Sequence, residues 1–184
     1  MTSNALIVVH KFIRCELFEL SGQLSRAGAD DVEALARSLD ALCEMLEGHA
    51  AKEDEGLAPQ LDEATAARMT ADHVLLDDQL EQLRTRAHGL LTASAALRES
   101  GLAALCIDYH AFIAAYLRHL DDEERTMLPI LGDRVPPVAA VAANAATLPL
   151  DQRTAFLDKL FARVNPAERS AIERSLAQAL DAAQ

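Results

Sequence analysis

Four long segments of the sequence carry apolar residues at every third or fourth position. This spacing places them along one face of an α-helix, because an α-helix has about 3.6 residues per turn. Breaks between the segments fall at 26–31, near 58–63 and within 92–101. Amphipathic helices joined by short connections are typical of antiparallel bundles. The sequence therefore predicts an all-α, up-down-up-down four-helix bundle in residues 1–131, followed by a C-terminal extension of short helices in 132–184.

The apolar stripes are interrupted by histidines and acids near one end of each predicted helix. The apolar members are Ile13, Leu17, Leu20 and Leu24; Val32, Leu35, Leu39, Leu42 and Leu46; Met69, Leu76, Leu80, Leu83, Ala87 and Leu90; and Leu102, Leu105, Tyr109, Phe112 and Tyr116. The interrupting residues are His10, His49 with Glu53, His73, and His119 with Glu123. Residues equidistant from an antiparallel turn lie side by side, and the midpoints between successive histidines fall inside the three breaks. We therefore expect all four histidines at one level of the bundle, facing inward.

Such a cluster needs a compensating charge, because an unpaired buried charge costs several kcal/mol or more. Imidazole nitrogens and carboxylate oxygens suit iron, manganese or zinc. Six such groups exceed what one tetrahedral zinc would take. They fit two metal ions bridged by the two carboxylates.

Two sequence stretches repeat one pattern, "GHAAKEDEGLAPQL" (48–61) and "RHLDDEERTMLPIL" (118–131). In each, an acid follows the histidine by four residues and a proline follows it by ten. This pattern resembles the hemerythrin-like, or HHE cation-binding, family over residues from about 4 to 131. The resemblance implies a four-helix bundle with a non-haem di-iron centre, two Fe ions joined by an oxo or hydroxo bridge. It further implies that Glu53 and Glu123 bridge the irons, that His10 and His49 hold one iron, and that His73 and His119 hold the other.

The sequence departs from the respiratory hemerythrins in its acids. Asp77 stands where they have a fifth histidine, and its position one turn after His73 also allows it to be an oxygen ligand. Glu124 competes with Glu123 for the bridging position, and the internal repeat favours Glu123. The extra carboxylate favours redox turnover or iron binding over plain reversible oxygen carriage. Tyr116, one turn before His119, is either a packing residue or a hydrogen-bond donor to an oxygen species at the metal.

The remaining polar and cysteine residues have ordinary interpretations. We expect Asp54, Glu55, Asp78, Asp121 and Asp122 on solvated helix faces, and His88 and His110 away from the site. Cys15, Cys43 and Cys106 are odd in number and widely spaced, which favours reduced, core-filling thiols over a disulfide framework.

Net charge and hydropathy limit the kinds of partner and the cellular location that we expect for this chain. The formal net charge of -12 argues against nucleic acid and anionic membrane surfaces. The chain has no uninterrupted apolar run of 18 residues, and the N-terminal residues do not resemble a signal peptide. We expect a cytoplasmic protein.

The extension begins with a Pro- and Ala-rich connector, 132–151, and continues with two short amphipathic helices. The second opens with "NPAE" (165–168), in which Asn165 is a cap and Glu168 lies three residues later. These helices pack on the bundle, cover one end of it, or form a homodimer contact.

Three functions remain open from the sequence. The first is a di-iron protein that binds or reacts with O2, NO or peroxide, in stress response, sensing or iron homeostasis, with peroxide disproportionation as one activity. The second is a histidine phosphotransfer bundle with His49 as the phosphorylated residue, which would require an exposed histidine. The third is a metal-free bundle that binds a protein partner.

Overall fold

The computed structural model describes residues 4–181. Its four long helices are α1 (Ala5–Leu24), α2 (Val32–Gly56), α3 (Glu63–Leu91) and α4 (Ala95–Asp122). A π-helical turn, Glu123–Met127, and the single turn α5, Leu128–Leu131, continue α4. Beyond a 3-10 turn at Gly132–Arg134 come α6 (Ala139–Ala146), α7 (Leu150–Phe161) and α8 (Pro166–Asp181). Residues 4–181 contain no strand, so the predicted all-α class is confirmed.

Contacts divide the chain into two compact units. The larger unit is Glu16–Leu131, which holds the C-terminal part of α1 together with α2, α3, α4, the π turn and α5. The smaller unit combines the described residues of Met1–Cys15 and Gly132–Gln184. The first part of α1 therefore groups with the C-terminal helices, whereas the sequence assigned it to the bundle.

Two helix pairs in the larger unit, α2 with α3 and α3 with α4, run antiparallel. Along each pair, contacts that lie later on one helix lie earlier on the other. These contacts are Asp40–His88 and Asp54–His73 between α2 and α3, and Arg86–Asp108 and Arg68–Asp122 between α3 and α4. The breaks predicted from the sequence coincide with the connections between the four helices, although the third connection is shorter than predicted because α4 already begins at Ala95.

The predicted stripes form the buried core. Each stripe residue is buried except Leu90, which is half-buried at the end of α3. The periodicity of the sequence therefore identified the buried faces correctly. Asp62 caps α3, since its carboxylate accepts hydrogen bonds from the Thr65 hydroxyl at 2.7 Å and the Thr65 N–H at 3.1 Å. These bonds lower the pKa of Asp62.

In the smaller unit, α8 begins with the capping box that the sequence predicted. The Glu168 N–H donates to Asn165 Oδ1 at 2.9 Å, and the Asn165 N–H donates to Glu168 Oε2 at 3.0 Å. The buried Glu168 carboxylate also accepts from Lys11 Nζ at 2.5 Å. Phe12, next to Lys11, packs edge-on against Phe156 with a 5.7 Å centroid distance. Glu168 therefore joins α8 to the first part of α1.

Two expectations are corrected. The connector 132–151 contains the helix α6, which is consistent with the strong helix propensity of its alanines. Of the three free cysteines, only Cys43 is buried; Cys106 is half-buried and Cys15 is exposed. Burial raises the pKa of Cys43 to about 12.

One helical stretch, Ala95–Arg134, is long and apolar enough to span a bilayer by length and composition alone. Core helices of soluble proteins meet the same criterion, and α4 contributes buried side chains to the larger unit.

Candidate metal centre

Five of the predicted site residues converge in the larger unit. α2 supplies His49 and Glu53, α3 supplies His73, α4 supplies His119, and the first residue of the π turn is Glu123. All five side chains are buried. In His49–Glu53 and in His119–Glu123, the i,i+4 spacing puts the acid one turn beyond the histidine on the same helix face.

The Glu53 carboxylate lies between two histidines. Its Oε1 is 3.3 Å from His49 Nε2, and its Oε2 is 3.4 Å from His73 Nε2. Each oxygen thus approaches a different imidazole. This arrangement links α2 to α3 inside the core.

The Glu123 carboxylate links α4 to α3 in a similar way. Its Oε1 is 3.2 Å from His119 Nε2 and 3.7 Å from His73 Nε2. The His73 and His119 rings meet edge to face, with centroids 4.9 Å apart. His73 therefore approaches both acids.

The donor atoms are spaced as a metal ion requires. The ligand atoms of Glu53, His73, His119 and Glu123 all lie within 4.8 Å of one another, and so do those of His49, Glu53 and Glu123. Metal–nitrogen and metal–oxygen bonds are about 2.0–2.2 Å long, so ligands on opposite sides of a cation are about 4.0–4.4 Å apart. The cluster is therefore compatible with metal binding, and both carboxylates belong to both sets.

In the metal-free protein, the charges of the cluster act on His73. Burial alone would lower the pKa of His73, but its hydrogen bonds with Glu123 and Glu53 and the charges of Glu53 and Asp54 outweigh burial. The net result raises the pKa of His73 to about 10. At neutral pH a proton on His73 then offsets part of the acidic charge that a cation would otherwise balance.

The π turn distinguishes Glu123 from Glu124. The Leu128 N–H bonds to the Glu123 carbonyl, an i→i−5 bond that widens the turn. Glu123 is buried in the cluster, whereas Glu124 is half-buried. The structure thus brings into the cluster the acid that the internal repeat favours.

Asp77 and Tyr116 lie at the edge of the cluster. Asp77 is exposed and falls outside both donor sets. Although the side chain is exposed, partial desolvation of its carboxyl and then the charge of Glu47 raise the pKa of Asp77, against the effect of His73. Tyr116 is buried, its ring 5.7 Å edge-on from His119 and 5.6 Å from Phe112. Burial first, and then the charges of Glu53 and Glu123, hold the pKa of Tyr116 well above its usual value, so it is a neutral phenol at neutral pH.

His10 is the remaining predicted ligand. It lies on α1 within the smaller unit, and its side chain is fully buried. Its role as a ligand stays a prediction from the sequence.

The structure separates the other histidines from the cluster. His88 contacts Asp40, with its Nε2 2.9 Å from Asp40 Oδ1, and His110 contacts Ser21 at 2.8 Å. Both are exposed, and neither belongs to either set of donor atoms.

Sequence reasoning missed the role of one acid. Asp54 was expected on a solvated face, but its Oδ1 lies 3.0 Å from His73 Nδ1. Asp54 directly follows Glu53, so the two acids point in directions about 100° apart on α2. The only sequence signal was the second acid itself, and the same position in the repeat is Glu124.

The comparison with known families agrees with this geometry. The family model described as hemerythrin HHE cation binding domain matches residues 2–131. This chain belongs to the hemerythrin HHE cation-binding family. No curated protein and no solved structure matches it. In this hemerythrin-domain chain, the matched region contains the buried His–Glu cluster, and the family description and the cluster are both compatible with metal-ion binding.

Proposed function

We propose that this hemerythrin-domain protein binds two iron ions at the His–Glu cluster and that the loaded protein binds or reacts with O2, NO or peroxide. The observation that best supports this proposal is that Glu53 and Glu123 belong to both sets of donor atoms. Glu53 turns one oxygen toward His49 and the other toward His73. A carboxylate with its oxygens so divided is suited to link two cations.

The donor chemistry favours iron among the candidate metals. The described members of the cluster are imidazoles and carboxylates, a set that suits iron, manganese or zinc. Two buried carboxylates favour a trivalent cation, and iron readily adopts the ferric state. We assign His73 and His119 to one ion and His49 to the other, and we retain His10 as the predicted partner of His49. Manganese and zinc are the alternatives that metal analysis would distinguish.

Bound iron would supply redox chemistry and an open coordination position. The residues of this chain would set access to it. The Tyr116 ring meets His119 edge to face and the Phe112 ring lies tilted against Tyr116, so the two rings cover that side of the cluster with aromatic surface. Their burial keeps bulk water from that side. A small uncharged ligand or peroxide fits such a boundary better than a large substrate does.

We place this activity in a cytoplasmic protein of oxidative or nitrosative stress response, sensing or iron homeostasis. Peroxide disproportionation is the enzymatic activity that the proposal includes.

The proposal is tested by metal content and the optical spectrum of protein purified from iron-replete cells, before and after peroxide. We expect about two irons per chain and an oxo-bridged di-ferric absorption band that peroxide alters. His73→Ala and His119→Ala should lose iron, whereas the surface variant His110→Ala should retain it. Iron-free wild-type protein, or equal iron in all three variants, would contradict the proposal.

The phosphotransfer alternative fits the geometry less well. His49 is only 8% exposed and its Nε2 faces Glu53, so a phosphate donor has little access to it. Phosphotransfer to His49 in metal-free protein would restore that alternative.

A further inference from the structure

We infer that Asp54 is a positioning residue for the metal site: it holds the Nδ1–H of His73, so that Nε2 is the nitrogen that faces the cation. This inference rests on the proposed function, because it concerns the same site. It adds a residue that lies outside both donor sets and that the repeated motif does not single out.

The contact between Asp54 and His73 has the geometry of a hydrogen bond. Asp54 Oδ1 and His73 Nδ1 are 3.0 Å apart, and the two residues come from neighbouring antiparallel helices. An ionised carboxylate has no proton to give, so His73 Nδ1 is the donor and Asp54 the acceptor. The bond fixes both the protonated nitrogen and the orientation of the ring.

Thr70, on α3, also holds the Asp54 carboxylate. The Thr70 hydroxyl donates to the same Asp54 Oδ1 at 2.9 Å. Thr70 lies three residues before His73 on α3, so both residues lie on the same side of that helix. Asp54 is thus held by two groups of α3, and its carboxylate is pre-oriented when His73 donates.

The other nitrogen of His73 points into the cluster. His73 Nε2 is 3.4 Å from Glu53 Oε2 and 3.7 Å from Glu123 Oε1. With Nδ1 occupied by Asp54, only Nε2 can lose a proton and accept a cation. A carboxylate on the far nitrogen also increases the basicity of the ligand nitrogen, and losing such a partner typically costs 10- to 100-fold in metal affinity.

The test measures Zn²⁺ affinity of metal-free protein with a competing chelator, Zn²⁺ serving as a diamagnetic probe. For Asp54→Asn, which keeps the shape but removes the charge, we expect roughly 10- to 100-fold weaker binding. Thr70→Val should weaken binding less. The matched control is Glu55→Gln, which removes a nearby exposed charge on the same helix and should change affinity less than about twofold, as expected for screened surface charge. Equal effects of Asp54→Asn and Glu55→Gln, or no effect of either, would overturn the inference.

A second measurement does not depend on metal. In metal-free protein we expect a downfield, slowly exchanging His73 Nδ1–H resonance, and Asp54→Ala should remove it while Glu55→Gln leaves it unchanged. If wild-type protein binds no cation, the proposed function fails. In that case the resonance tests only whether Asp54 holds the Nδ1–H of His73: its loss in Asp54→Ala supports that hydrogen bond, and its persistence overturns it.

Discussion

Glu53 and Glu123 are buried acids in a core made mainly of apolar side chains. Removing such charges from water costs several kcal/mol for each ion. The three imidazoles of His49, His73 and His119 offset part of that cost through close contacts of 3.2–3.7 Å. A bound cation would offset more of it.

Glu123 should contribute more to metal affinity than its neighbour Glu124. Glu123→Gln removes one of the two carboxylates shared by both donor sets. We therefore expect it to lower metal affinity by more than the roughly 10- to 100-fold that is typical of residues that only orient a ligand. Glu124→Gln is the matched control, and we expect less than about tenfold by the same comparison. Metal stoichiometry and Zn²⁺ competition measure both. A larger loss in Glu124→Gln would reassign the bridging role to Glu124.

The pKa of His73 predicts proton release on metal binding. In metal-free protein this pKa is about 10, so His73 carries a proton at neutral pH that a cation must displace. Affinity should therefore rise with pH toward about 10. Calorimetry in buffers of different ionisation enthalpy should detect at least one proton released per chain. Metal binding without proton release would contradict the prediction.

The same group should make the stability of metal-free protein fall with rising pH, whereas metal affinity rises. His73 has a higher pKa folded, about 10, than its ordinary value of 6.5. Its stabilising contribution is therefore complete below pH 6.5 and is lost as pH rises from there to about 10. Urea unfolding of metal-free protein should show this contribution, and it should be absent in His73→Gln. An unchanged pH profile in His73→Gln would exclude His73 as the cause.

At the scale of elements, the π turn keeps a row of core residues aligned. His119, Glu123, Met127 and Leu131 are all buried and are spaced by four residues. On a regular α-helix each such step drifts about 40°, so the row would rotate by about 120°. The wider turn at Glu123–Met127 reverses part of that rotation. Pro129 follows, and its missing N–H leaves the Arg125 carbonyl without the usual helical donor.

Glu168 should be important for stability in the smaller unit. It is buried, completes the capping box of α8 and pairs with the partly exposed Lys11. Glu168→Ala removes the hydrogen bond from the Asn165 N–H, worth about 1 kcal/mol, and a half-buried ion pair, so we expect the free energy of unfolding to fall by roughly 1–3 kcal/mol. Glu168→Gln should lose less, since glutamine serves in the same capping box.

The control for Glu168 is Glu173 on the same helix. Glu173 pairs with Arg169 on the surface at 2.8 Å, and such pairs contribute about 0–1 kcal/mol. Chemical denaturation monitored by circular dichroism compares the variants. Equal losses in Glu168→Ala and Glu173→Ala would show that burial of Glu168 is unimportant.

For the whole molecule, metal should stabilise the folded chain. A cation that binds only the folded state adds about 2.7 kcal/mol at a free concentration 100 times its dissociation constant. Chelation should therefore lower the melting temperature of wild-type protein and leave His73→Ala almost unchanged. A metal-free interaction bundle would instead show the same melting temperature with and without chelator.

Much of this architecture follows from local patterns. The period of the stripes revealed the helices and their buried faces, because side-chain direction repeats every 3.6 residues. The distances of His49, His73 and His119 from the connecting turns predicted that they lie together, because antiparallel hairpins align residues equidistant from their turns. The roles of Asp54 and Lys11 were missed, because their partners are far away in the chain and no local spacing encodes which helices touch there.

The sequence by itself determined the all-α class, the core stripes, the capping box of α8 and the residue types of the cluster, all of which depend on short-range spacing. Tertiary structure alone decided which nitrogen of His73 faces Glu53, that Asp54 contacts the other nitrogen, and that the first part of α1 groups with the C-terminal helices. These features depend on the packing of helices against one another, where an interhelical contact selects among arrangements that the local sequence leaves equally available.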